Sequence, residues 1–183
     1  MKPEAARPLA EALAAKKDAI VKEWLARTLQ TYPEHTSRFL AQEKDPFRNP
    51  IGHTVREALP ALFDELLGNM DAARLTPVLD GLVRIRAVQD FSAGQAVAFL
   101  FVLKRVLRDA VGGQLQWVPD GEGLAVLEAR IDEMALLAFD LFMRCRERLY
   151  EIRVNEARRR MVLPERMQRM RTATQARGAG GPT

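Results

Sequence analysis

The stretch that decides the fold is SAGQAVAFLFVLKRVLRDAVGG, residues 92–113. Ser92 and Gln95 stand three apart, the spacing at which a hydroxyl and an amide satisfy each other's orphan backbone donors at a helix start. Ala96, Phe99, Leu100, Leu103, Val106 and Leu107 then recur at steps of three and four, the period of one helical face. Phe101 and Val102 lie on the opposite side, so this helix is expected to be covered on more than one face. Gly112 and Gly113 end it. The apolar run 96–103 is about eight residues, far short of the roughly 20 that cross a bilayer. It therefore belongs inside a helical core.

The same period extends in both directions. Upstream, Leu9, Leu13, Ile20, Trp24 and Thr28, with Val21, Leu25 and Leu29 alongside, predict one amphipathic helix of roughly 20 residues between Pro8 and Pro33. Residues 34–41 predict a short helix with Phe39 and Leu40 turned inward. Asp45-Pro-Phe-Arg-Asn-Pro-Ile-Gly52 is an irregular connection, pinned by Phe47 and Ile51. Thr54 and Glu57 have capping-box spacing and predict a helix start there. Val55, Leu59, Leu62 and Leu66 follow on one stripe, with Phe63 and Leu67 beside it, and Pro60 is expected to kink the helix. Asp71 caps the next helix, whose apolar face is Leu75, Val78, Leu79, Leu82, Val83 and Ile85.

Downstream, residues 115–123 read as a loop carrying Trp117 and Pro119. Leu124, Leu127, Ile131, Met134, Ala138, Leu141, Cys145 and Ile152 then form a heptad stripe. A second stripe holds Leu137, Phe142 and Leu149 beside Leu136, Phe139 and Met143. Two stripes imply packing on the chain's own core and on a partner. Pro164 is expected to end this helix, and residues 173–183 to be disordered. No strand alternation persists, so the fold class is all-α: five main helices, one or two short ones, and a long C-terminal helix. Residues 1–152 form the helical domain, and 153–183 a basic extension and tail.

The 183 residues carry a formal net charge of +4, unevenly spread. Residues 144–177 hold eleven arginines and four glutamates, while the remainder is slightly acidic. Such a segment suits an acidic protein partner, and nucleic acid is an alternative. No aromatic residue follows Tyr150, which argues against single-strand stacking. One cysteine excludes an intramolecular disulfide. The N-terminus has no secretory pattern and no span is long enough for a membrane, so a cytoplasmic location is expected.

Catalytic patterns are missing. There is no phosphate loop, no GxSxG and no HExxH. Neither His35 nor His53 follows a Glu by three residues, so a carboxylate di-metal bundle has no ligands. No histidine occurs after position 53, where a globin-type haem ligand would fall. No cofactor and no metal are therefore expected, and no enzyme activity. Cys145 reads as a buried core thiol. Arg84, Arg86, Lys104, Arg105 and Arg108 flank the two central helices, as an anion site if they converge and otherwise as a solvated face.

From Asp45-Pro-Phe-Arg-Asn-Pro-Ile-Gly52 through Thr54-Val-Arg-Glu-Ala-Leu-Pro-Ala-Leu-Phe63, the sequence resembles the RsbRD N-terminal domain family, the sensor domain of RsbR-type stressosome proteins. Trp24, Tyr32-Pro33 and Arg84-Ile-Arg-Ala-Val-Gln89 are similar to other parts of its pattern, over residues 20–150. The resemblance implies a globin-like helical fold without haem, dimeric through its terminal helices, with a signal-input role. The phosphorylatable output domain of that family has no counterpart here, so action through a separate partner is expected. Two sets of residues are the candidates: Leu127, Ile131, Met134, Ala138 and Leu141 for a homodimer interface, and Trp24, Phe63, Arg84 and Phe99 for a pocket. The pocket serves the alternative reading, a carrier of a small molecule or anion.

Overall fold

In the computed structural model, residues 7–112 and 122–178 are described, with side chains placed up to residue 160. Seven helices run through these residues, and none of the described residues is in a strand. They are α1 (Arg7–Ala15), α2 (Lys17–Leu29), α3 (Glu34–Gln42), α4 (Pro50–Leu67), α5 (Ala72–Val88), α6 (Ala93–Gly112) and α7 (Glu122–Gly178). The protein is all-α with a long C-terminal helix. The loop read at 115–123, with Trp117, lies almost wholly outside the described residues.

Five helices are long and two are short, because the first expected helix is two. It breaks at Lys16, where φ is −107° and ψ 10° and the amide bonds back three residues to Leu13. No proline or glycine marks the break, and the apolar positions Leu9, Leu13, Ile20 and Trp24 are buried on both sides of it. The period therefore survives a one-residue fault.

α4 starts four residues before Thr54. Asn49 is its N-cap and Pro50 its first residue, the arrangement that suits proline because its missing N–H is an orphan there anyway. Thr54 lies inside the helix and its hydroxyl donates to the Pro50 carbonyl at 2.9 Å. The capping boxes thus divide: the one at Ser92 and Gln95 forms, with the Ser92 amide 3.0 Å from Gln95 Oε1 and the Gln95 amide 3.3 Å from Ser92 Oγ, and the one at Thr54 does not.

Pro60 and Pro77 sit within α4 and α5 without ending them. Pro164 likewise lies inside α7, which runs to Gly178 through residues expected to be disordered. Ala173, Gln175, Ala176 and Arg177 are good helix formers, and they favour continuing the helix.

The chain divides into two compact units, Met1–Met143 and Arg144–Thr183. The first holds the core. There α2 packs on α4 and α6, α4 on α5, and α5 on α6. Trp24, Leu59, Leu62, Phe63, Leu66, Leu79, Leu100, Leu103, Leu107, Ile131 and Met134 are all but inaccessible to solvent. Burial of a leucine-sized side chain favours folding by about 1.5–3 kcal/mol, so these residues dominate stability. In the second unit the described side chains are exposed or half-buried.

Two expected anchors fail. Phe47 is 94% exposed and Phe39 about half exposed. Ile51 and Leu40 do pack inward, in a cluster with Leu29 and Tyr32.

Candidate functional site

The most unusual group in the core is a cation. Arg86, in the last turn of α5, is 1% exposed. Its phase explains this: Leu75, Leu79, Leu82, Val83 and Arg86 follow the three-and-four steps of the buried face. α5 ends just beyond it in a Schellman turn. Asp90 takes a left-handed φ of 57°, and the Phe91 amide bonds back to the Arg86 carbonyl at 3.2 Å. That turn folds Phe91 onto the guanidinium, whose carbon lies 5.3 Å from its ring centroid. Tyr32, just after α2, is at 5.3 Å and Phe99, on α6, at 5.1 Å. Tyr32 and Phe91 meet edge to face at 5.2 Å.

Behind this cage Trp24 stacks on Phe99, with centroids 6.4 Å apart. Its indole N–H donates to the Phe99 carbonyl at 2.6 Å. The ring that faces the cation is therefore held in place by a second ring and a buried hydrogen bond.

The guanidinium has five N–H donors. One bond engages them among the described residues, Nη1 to the Gln95 carbonyl at 3.0 Å, which ties the end of α5 to the start of α6. Burial pushes the arginine below its usual pKa, and the neighbouring Tyr32 opposes that shift. The Tyr32 hydroxyl oxygen stands close enough to favour the charge, while its O–H finds no acceptor. Thr28 Oγ1, also buried, completes no hydrogen bond.

Of the pocket residues expected from sequence, Trp24 and Phe99 meet. Phe63 is buried on α4, with no ring contact or hydrogen bond to this cage. Arg84 does not belong to it. It is exposed and pairs with Asp80, one turn earlier, at 2.6 Å. Arg86, two residues on, is the buried cation. The phase of the apolar stripe distinguishes the two, and that was the signal available in the sequence.

Lys104 and Arg108 are committed to carboxylates on α7. Lys104 pairs with Asp132 at 2.6 Å and Arg108 with Glu128 at 2.6 Å, both joining α6 to α7. The Arg108 guanidinium holds the Glu128 carboxyl below the usual glutamate range. His53 lies in α4, 3.3 Å from Glu57. Cys145 is half-buried rather than buried. Among the described residues no group of three acidic, histidine or cysteine side chains is placed to hold a metal, and no helix is long and apolar enough to cross a membrane.

On α7 the two stripes differ in burial. Leu127, Ile131, Met134, Ala138 and Leu141 are buried within the chain itself. Arg130 on this helix donates to the carbonyls of Leu66 and Gly68 at 2.8 and 3.1 Å, which fixes its packing on the end of α4. The stripe is spent on the chain's own core, on the side where α7 bonds to α4 and α6. The neighbouring edge, Leu136, Phe139 and Met143, stays exposed, as does Phe101 on α6.

Asp45-Pro-Phe-Arg-Asn-Pro-Ile-Gly52 also has a physical account. Asn49 is buried, and its side chain makes three hydrogen bonds. It accepts from the Gly52 amide at 2.8 Å and donates to the carbonyls of Leu40 and Glu43 at 3.0 and 2.8 Å. Arg56 donates to the same two carbonyls. The open carbonyls at the end of α3 and the open amides at the start of α4 are thus satisfied by one knot.

This is a helical bundle with a charged, ring-lined core and an uncovered edge on its last helix. Residues 18–157 match the model of the RsbT co-antagonist protein rsbRD N-terminal domain, and the chain belongs to that family. The family is one of signalling domains of the stressosome type. Neither the curated proteins nor the solved structures contain a significant match to the chain.

Proposed function

We propose that this protein is a non-catalytic signal-input module that works as a homodimer and passes its state to a separate protein partner. The observation that carries this reading is the exposed edge of α7. Leu136, Phe139 and Met143 are large and apolar and follow helical steps, in a family of signalling domains. A pair of copies would bury this edge, in place of the inner stripe Leu127, Ile131, Met134, Ala138 and Leu141. A globin-like arrangement and a cytoplasmic location fit the same reading. The basic residues of 153–183 would then face an acidic partner surface. A signal acts by favouring one packing of the bundle over another, and so changes how the paired helices are presented.

Sedimentation of the full chain at micromolar concentration tests this. The expected result is a dimer that Phe139→Glu converts to a monomer of unchanged helical content. A wild-type monomer would remove the proposal.

A further inference from the structure

We propose that Arg86 and Tyr32 form an internal binding site for one small monovalent anion, of the size of chloride, nitrate or formate. The inference concerns the interior of a single copy and stands apart from the pairing of α7.

Arginine keeps its charge at any pH a protein meets, so Arg86 cannot escape burial by losing a proton. Taking such an ion from water costs several kcal/mol even after relaxation. Three rings at 5.1–5.3 Å and one carbonyl offset part of this. Rings and carbonyls carry no net charge, however, and among the described residues no carboxylate pairs with Arg86. Asp80, Asp109, Asp132 and Glu128 pair with other cations, Arg84, Arg27, Lys104 and Arg108 in turn.

The second observation is the Tyr32 hydroxyl. It is buried, it lies within reach of the guanidinium, which can only donate to it, and its own O–H finds no acceptor. A buried donor without an acceptor is costly and rare in native proteins. One anion would accept from both groups and neutralise the cation.

The charge and size follow from the surroundings. A divalent ion would leave a net negative charge among Phe91, Phe99 and Trp24. A large organic anion would have to displace rings that are held by stacking and by the Trp24 hydrogen bond. Phe91 is the half-buried member of the cage, on the turn where Val88, Gln89 and Asp90 are exposed. Phe91 is therefore the ring whose outward movement would admit the anion.

The test uses the full chain, exchanged into sodium isethionate, whose sulfonate is bulky. Chloride, nitrate or formate then replaces it at constant ionic strength, and thermal unfolding is followed by circular dichroism. Wild type should gain several degrees in Tm, saturating with concentration as binding to the native state requires. Tyr32→Phe should weaken the apparent affinity about tenfold, the loss of one hydrogen bond to a charged group. Arg86→Met, a substitution of similar length, should abolish the response. If wild type ignores all three anions, or if the Arg86→Met protein responds as wild type does, the proposal is overturned. Crystals grown in bromide give a readout that does not depend on that variant folding. An anomalous peak between Arg86 and Tyr32 is expected, and a crystal without one overturns the site.

Discussion

The side chain of Asn49 and the backbone of Gly52 fit each other so closely that neither residue can change alone. Asn49 Oδ1 accepts from the Gly52 amide at 2.8 Å, and a Cβ on Gly52 would lie 2.3 Å from Asn49 Nδ2. The asparagine is buried and bonded on three sides, so it cannot swing away.

Asn49→Ala removes the cap of α4 and two donors to the end of α3, although Arg56 still reaches the Leu40 carbonyl. A loss of about 1–3 kcal/mol is expected from the cap and the two lost donors, since Arg56 also still reaches the Glu43 carbonyl. Urea unfolding at neutral pH measures it. Gly52→Ala should cost a similar amount by forcing the same side chain out of place, and combining the two changes should cost less than their sum because the clash goes with the asparagine.

Thr28 offers a gain. Its hydroxyl is buried and completes no hydrogen bond. Thr28→Val keeps the shape and the helix propensity while removing the polar group. Stability should rise by about 1 kcal/mol, the desolvation cost of an unsatisfied hydroxyl. The urea midpoint should move up with an unchanged m-value.

The Arg108–Glu128 pair predicts a pH dependence. The folded protein holds the Glu128 pKa below its ordinary value, chiefly through the hydrogen bond from Arg108. The unfolded chain therefore binds the proton first as the solution is acidified. The pair's contribution is fully present above the ordinary glutamate pKa and is lost as pH falls through the depressed one. Glu128→Gln should lower Tm at pH 7, and the difference from wild type should vanish in strong acid. Because Arg108 is exposed to solvent, added salt should shrink the difference as well.

Arg84 and Arg86 should behave as different kinds of residue. Arg84→Ala removes one solvent-exposed pair with Asp80 and should change stability by no more than about 0.5 kcal/mol. Arg86→Ala opens a hole between three rings and frees the α5–α6 turn from the Gln95 carbonyl. It should cost about 3 kcal/mol, in the range of large-to-small core changes. Chemical denaturation of both variants in one buffer compares them directly.

Helix periodicity made most of the fold legible, since burial of Leu79, Leu103 or Ile131 demands little beyond an apolar residue in phase. The misreadings have physical causes. The α1–α2 break leaves no residue signature, because the stripe carries on across Lys16. The α4 start was read at Thr54, whereas Asn49 caps the helix and Pro50 pre-sets the helical φ one turn earlier. On α7 the stripes were equally apolar, so the choice between them lies in the packing on α4 and α6, which a one-dimensional pattern does not contain. Arg86 was passed over for its neighbour because arginine is ordinarily a surface residue, although its position on the stripe pointed inward. Phe47 shows the converse error, a large ring placed in water.

The chemistry at the centre of the bundle also limits what kind of stimulus it can register. A histidine in that chamber would report acidity, and a thiol would report oxidants. A guanidinium does neither: it is already protonated, so acidification adds no charge to it, and mild oxidants leave it untouched. On the proposed anion site, what alters the balance around residue 86 would arrive as matter, by diffusing in past Phe91 or by pulling on the corner that the arginine pins. Such a detector would stay silent during swings of pH or redox state and answer to the composition of the surrounding fluid.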